Sequence, residues 1–144
     1  MVRVADSISI DASAQRVFQY LDEPENHATI TPALSDVRNV EPLDNGGKQL
    51  EYTYRMAGVP IQGQLTQTVH EPPSRHTFVL ESGITGELSF EIEPDGEGSL
   101  VTYSAEYSIP GRIISQVIEP VARRYNEREL QATLENLKSE VEAE

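Results

Sequence analysis

The sequence predicts an α+β fold, a curved antiparallel sheet of about seven strands wrapped around a long C-terminal helix, with two short helices after the first strand. Three observations carry that prediction. Residues 99–110, SLVTYSAEYSIP, alternate as one long strand, and a helical pattern opens at Gly111 and runs nearly to the C-terminus. The segments before it alternate too, each polar on one side, as strands of an antiparallel sheet with one wet face do. A long helix placed after such strands must bury its stripe on the apolar face, and helices segregated to one face define the α+β layer arrangement.

Taken in order, residues 2–10 are the first strand: Val2, Val4, Ile8 and Ile10 share one parity, with Asp6 the exception. Ser13 is a good N-cap for a short helix over 14–21, although Arg16 at the third position gives no capping box. Val17, Phe18 and Leu21 supply its apolar face. Pro24 suits the first turn of a second short helix that ends near Thr29. Residues 30–34, with Pro32, read as irregular.

A strand over 36–42 closes on the turn Asp44-Asn45-Gly46-Gly47. Residues 48–57 put Leu50, Tyr52, Tyr54 and Met56 on one face. Gly58-Val59-Pro60 breaks the pattern. Over 61–71, Ile61, Leu65 and Val69 point inward and the even positions outward, until Pro72-Pro73 ends the ladder. Residues 75–82 carry Phe78 and Leu80, and 85–93 carry Leu88, Phe90 and Ile92. After the turn 94–98, the last strand presents Val101, Tyr103, Ala105, Tyr107 and Ile109 to one side. Short loops make sequential strands hairpin partners.

The final helix spans about 111–141, on the order of 45 Å. Ile114, Val117, Ile118, Val121 and Tyr125 form one stripe, continued by Leu130, Leu134, Leu137 and Val141. Pro120 lies inside it and should kink it; one kinked helix is preferred to two separate ones because the stripe keeps its phase. No repeat or linker interrupts the chain, and 144 residues form a single domain, 1–144, able to bury roughly 70% of its unfolded surface.

Asp and Glu total 24 against 11 Lys and Arg, a net charge of −13, and only Lys48 and Lys138 are lysines. So acidic a surface repels nucleic acid and anionic lipid headgroups. Scarce lysine beside abundant glutamate points to a salt-rich cell, where self-repulsion is screened to a few ångströms. The absence of cysteine excludes disulfides and thiolate-bound metal. No apolar run reaches the roughly 20 residues that span a bilayer, and the acidic, alternating N-terminus is unlike a signal peptide. A cytoplasmic protein without stable membrane insertion is the expectation; a homo-oligomer is left open.

Strand, two short helices, six strands and a long helix form an order that resembles the helix-grip fold of the START-like superfamily, also called SRPBCC. Ile10-Asp11-Ala12-Ser13 with Val17-Phe18 and Leu21 looks like its first strand-to-helix corner. Asp22-Glu23-Pro24-Glu25-Asn26 resembles its lid helix, and Gly98-Ser99-Leu100-Val101-Thr102-Tyr103 its last strand. Leu134-Glu135-Asn136-Leu137-Lys138 resembles the end of its gripping helix. The branch it looks most like is the polyketide cyclase/dehydrase and lipid-transport group. The resemblance covers essentially the whole chain and implies a cavity between sheet and long helix, closed by the short helices. Members bind lipids, hormones, quinones or polyketides, and some are enzymes.

The expected ligand-binding residues are Tyr52, Tyr54, Phe78, Leu88, Phe90, Tyr103, Tyr107, Ile114, Ile118 and Val121. Five of the six tyrosines, Tyr125 included, fall on the inferred inner face. Several phenols facing one apolar interior are easier to satisfy around a cavity than in a dry core. The expected partner is a hydrophobic small molecule or lipid, with no cofactor and no metal.

His70-Glu71 with His76 has the wrong spacing for a helical zinc motif, and an intervening Pro72-Pro73 turn; both histidines are expected on a surface loop. His27 is expected as an exposed lid residue at the pocket mouth, and a candidate acid/base there. Gly96-Glu97-Gly98 is a hairpin turn rather than a phosphate loop. Arg123, Arg124 and Arg128 read as a solvated helix face, with Arg124 or Arg128 the alternative anchors for a ligand carboxylate. No Ser-His-acid set and no inward carboxylate pair is readable on the strands. Three functions remain: a carrier of a hydrophobic small molecule, favoured for want of a catalytic set, a cyclase-like enzyme using Tyr54, Tyr103 and His27, and an interaction module whose cavity is vestigial.

Overall fold

The computed structural model describes residues 2–56, 58–109, 111 and 119–143. Strand β1 (Val2–Ile10) leads into helices α1 (Ala14–Leu21) and α2 (Pro24–Ile30). Six strands follow as a meander: β2 (Leu34–Pro42), β3 (Lys48–Met56), β4 (Val59–Glu71), β5 (Arg75–Glu81), β6 (Thr85–Asp95) and β7 (Gly98–Ser108). Helix α3 (Glu119–Glu142) ends the chain. The strands make one seven-stranded antiparallel sheet in the order β1-β7-β6-β5-β4-β3-β2. The α1–α2 pair therefore carries the chain from one sheet edge to the other. The curved sheet and long C-terminal helix are the predicted helix-grip arrangement.

Local chemistry sets the short helices. Ser13 Oγ accepts the Arg16 N–H at 3.2 Å, capping α1. Ala14, Val17, Phe18 and Leu21 bury one face of it. Pro24 opens α2, where its missing N–H costs no internal bond. Extra residues bend the sheet where alternation fails. In β2 the register shifts between Ser35 and Arg38 and again between Arg38 and Glu41. Asp36 and Asn39 there adopt φ of 53°, a left-handed conformation that Asp and Asn tolerate better than most residues. In β4 the shift falls between Gln67 and Val69.

Helix α3 packs along β1, with Leu130, Leu134, Leu137 and Val141 buried. Each such side chain contributes roughly 1.5–3 kcal/mol by leaving water. Lys138 Nζ donates to Ser9 O at 3.0 Å, and Glu142 Oε2 accepts the Asp11 N–H at 2.8 Å. Asn136 Nδ2 donates to Ile30 O at 2.9 Å, which ties the helix to the end of α2.

The N-terminal half of the predicted helix needs correction. Above Leu130 the buried positions are Asn126 and Ala122, each four residues back, so the inward stripe continues through a polar and a small residue. Val121 lies about 100° away, 48% exposed, rather than facing the sheet. Pro120 sits in the first turn of α3 as described. The expected continuation through it, and Ile114, Val117 and Ile118, lie outside the described residues.

Candidate functional site: a polar-edged cavity under the lid helices

A cavity of about 120 Å3 lies between the sheet and α3, bordered by α1–α2. Its walls follow from strand alternation. Inward residues of β3 supply Lys48, Leu50, Tyr52 and Tyr54. Neighbouring strands add Leu65 and Gln67 from β4, then Phe78 and Leu80 from β5. From β6 come Leu88 and Phe90, and from β7 Tyr103, Ala105 and Tyr107. Helix α3 adds Asn126, Glu129, Leu130 and Thr133; the lid contributes His27 and Pro24. Phe90 and Tyr103 stack with centroids 4.1 Å apart.

Phenols and one carboxyl gather where α3 crosses β3 and β7. Tyr54 Oη donates to Asn126 Oδ1 at 2.9 Å, and Asn126 Nδ2 donates to Ala122 O at 2.7 Å. Glu129 Oε1 accepts the Ala33 N–H at 2.7 Å. Burial raises the Glu129 pKa, and that hydrogen bond partly offsets the rise. Burial also raises the pKa values of Tyr54 and Tyr103, with the nearby Glu129 carboxylate adding to both. Tyr52 is pushed up to about 12 by burial. These phenols are therefore protonated at neutral pH and can donate hydrogen bonds. Neither Tyr52 nor Tyr103 has a hydroxyl partner among the described residues.

Histidines cluster at the lid end. His27 lines the cavity, edge-on to Phe78 and Phe90 at 5.6 and 5.8 Å. Its Nε2–H donates to Leu21 O at 2.7 Å, so the lone pair of the neutral ring sits on Nδ1. Burial lowers its pKa and favours that neutral form. His76 is fully buried and stacks on Phe18 at 3.9 Å. Its Nε2–H donates to Phe18 O at 3.3 Å, and its Nδ1 accepts from Gln67 Nε2 at 2.7 Å. Desolvation lowers its pKa to about 4. His70 Nε2 donates to Asp22 Oδ1 at 2.9 Å, and Lys48 Nζ donates to Asp22 O at 3.0 Å. Gly46 closes the β2–β3 turn with φ of +90°, where a Cβ would stand 2.8 Å from His70 Nδ1. Among the described residues no group of three His, Cys, Asp or Glu is arranged to hold a metal ion.

Of the residues expected around a ligand, Tyr52, Tyr54, Phe78, Leu88, Phe90, Tyr103 and Tyr107 all line the cavity. Val121 does not, and Ile114 and Ile118 lie outside the described residues. His70 and His76 are not on a surface loop. The β4 bulge inserts one residue at Thr68, so the inward parity passes from Gln67 to His70, which pairs in register with His76. His27 faces the cavity rather than solvent. Lys48, Gln67, Asn126 and Glu129 were missed as lining residues. Lys48 shares the parity of Leu50, Tyr52 and Tyr54, which was the available signal. Gln67 likewise shares the inward parity of Ile61 and Leu65 ahead of the bulge; Asn126 and Glu129 had no such signal, because they lie off the apolar stripe expected for the helix.

The structure is similar to that of a protein from Thermus thermophilus, with a TM-score of 0.84 and 17% identity, covering 98% of this chain and 97% of that one. A START superfamily protein from Mycobacterium smegmatis superimposes with a TM-score of 0.78 at 17% identity, covering 98% and 97%. The Zhui aromatase/cyclase from Streptomyces sp. R1128 does so with a TM-score of 0.77 at 15% identity, covering 97% and 93%. At such identities these likenesses show the fold alone. A comparison with curated protein sequences gives no match. The model of the family described as polyketide cyclase/dehydrase and lipid transport matches residues 1–142, and the chain belongs to that family.

Proposed function

We propose that this protein binds, and carries, a hydrophobic small molecule or lipid in the cavity between the sheet and α3. The cavity itself is the observation that supports this most. Protein interiors are close-packed and keep few voids larger than a water molecule. Here about 120 Å3 is left open behind aromatic and aliphatic walls, with a few polar groups at either end. An engineered apolar cavity of roughly 150 Å3 holds benzene, so the space suits a ring-sized apolar body. A long acyl chain needs the α1–α2 pair to shift. Native mass spectrometry of the protein purified from cells, followed by titration with fatty acids, quinones and aromatic polyketides, tests the reading. A bound small molecule, or one-to-one binding with a raised melting temperature, is the expected result. A consistently empty protein that ignores all three classes contradicts it.

A cyclase-like activity is the second reading, favoured by the placement of His27, Tyr54 and Tyr103 on one cavity wall system. Phenol donors would stabilise charge on the carbonyl oxygens of a folded poly-carbonyl chain. The neutral His27 ring would accept a proton at Nδ1. Undiminished turnover of such a chain by Tyr54→Phe and Tyr103→Phe variants would refute those roles. The acidic surface supports one more element of the proposal, that the protein works in the cytoplasm of a salt-rich cell.

A further inference from the structure

We propose that Lys48 forms an anion-binding end of the cavity, so that the ligand is an apolar acid whose carboxylate sits at the lid and whose ring-sized body lies between the sheet and α3. The inference rests on the reading of the cavity as a ligand pocket and names the chemical class that pocket takes. In a chain of net charge −13 with two lysines, the overall field opposes any anionic ligand. Lys138 is spent on the outside of α3, paired with Glu142. Lys48 instead lines the cavity, at the lid end of the inward row that continues through Leu50, Tyr52 and Tyr54. No described carboxylate pairs with it. One of its three ammonium N–H groups goes to Asp22 O at 3.0 Å, at the C-terminal end of α1, which anchors the charge without neutralising it.

The remaining donors have no partner among the described residues. A carboxylate entering an apolar cavity loses its hydration, and a fixed ammonium supplies the charge-assisted hydrogen bond that compensates. Other charged groups of the wall are arranged to permit this. The Asp22 carboxylate is engaged by His70 Nε2 at 2.9 Å. Glu129 stands with Tyr54 at the far end of β3, six residues and about 20 Å from Lys48 along the strand. Lys48 and Glu129 thus occupy opposite ends, and the Asp22 carboxylate that shares the lid end is already held by His70, which orients an acid with its head at the lid. Arg124 and Arg128, the alternative anchors expected from the sequence, are exposed on α3 and do not line the cavity.

The test is calorimetric titration of the intact protein at pH 7 with a matched pair, 2-naphthoate and 2-naphthamide, which share size and shape and differ in charge. Wild type is expected to bind the acid about tenfold more tightly than the amide. Lys48→Met should bring that ratio close to one, and Lys48→Arg should preserve the preference. Loss of helix or sheet in the variants is monitored by circular dichroism, and the ratio within each variant is insensitive to a uniform loss of stability. Equal or tighter binding of the amide by wild type overturns the proposal, as does an acid preference that survives in Lys48→Met. If neither compound binds, the cavity reading fails and takes this one with it.

Discussion

His76 shows how one extra residue changes the meaning of a side chain. Buried against Phe18, with both ring nitrogens engaged, it is held neutral and its pKa is lowered from 6.5 to about 4. Between those values the unfolded chain binds a proton that the folded chain refuses. Stability from this group is therefore complete above pH 6.5 and declines as pH falls towards 4, by up to about 3 kcal/mol. His27, also lowered by burial, acts in the same direction. Glu129 acts in the opposite one: its raised pKa gives a contribution present below 4.5 and lost as pH rises through the folded value. Urea unfolding at several pH values between 7 and 4 is expected to show a fall that becomes shallower in His76→Gln. An unchanged slope in that variant contradicts the assignment. The tyrosines were legible in the sequence because β3 and β7 keep a strict alternation. The histidines were not, because Thr68 is an unremarkable residue that happens to be the extra one in β4.

At the scale of elements, regular periodicity was readable and its interruptions were not. The β3–β4 turn is shorter than Gly58-Val59-Pro60 suggested: Met56 pairs with Val59, and Pro60 stands inside β4. The 94–98 turn likewise tightens, with Asp95 paired to Gly98. Helix α3 was legible from Leu130 onward, where leucines recur at helical spacing. Before it the inward positions are Asn126 and Ala122, and the apolar Val121 and Tyr125 drew the stripe to the wrong phase. Tyr125 is half-buried and donates to Arg55 O at 3.0 Å rather than entering the cavity. Two substitutions separate the true face from the apparent one. Leu137→Ala, at a fully buried position, is expected to cost about 2–5 kcal/mol in chemical denaturation. Val121→Ala is expected to stay within about 0.5 kcal/mol of wild type. A comparable cost at both sites would restore the original stripe.

The whole molecule was recognisable from element order, since a meander between two short helices and one long helix leaves few ways to pack. Its cavity was less so, because an inward residue looks the same in sequence whether it meets another side chain or open space. None of the helices among the described residues is long and apolar enough to cross a membrane. With a net charge of −13, self-repulsion should loosen the fold at low ionic strength. The melting temperature is expected to be lower in 0.1 M than in 2 M KCl, and equal values would remove the salt-adaptation reading. The proposed function requires ligands to occupy the space between sheet and helix. Ala105 is buried on β7 and lines that space, so Ala105→Phe fills it from within. The deciding measurement is calorimetric binding of 2-naphthamide to wild type and to Ala105→Phe, with thermal melts to confirm folding. One-to-one binding by wild type, weakened at least about tenfold in a variant that melts no lower, is expected if ligands fill this cavity; equal binding by both proteins, or none by wild type, would overturn that reading.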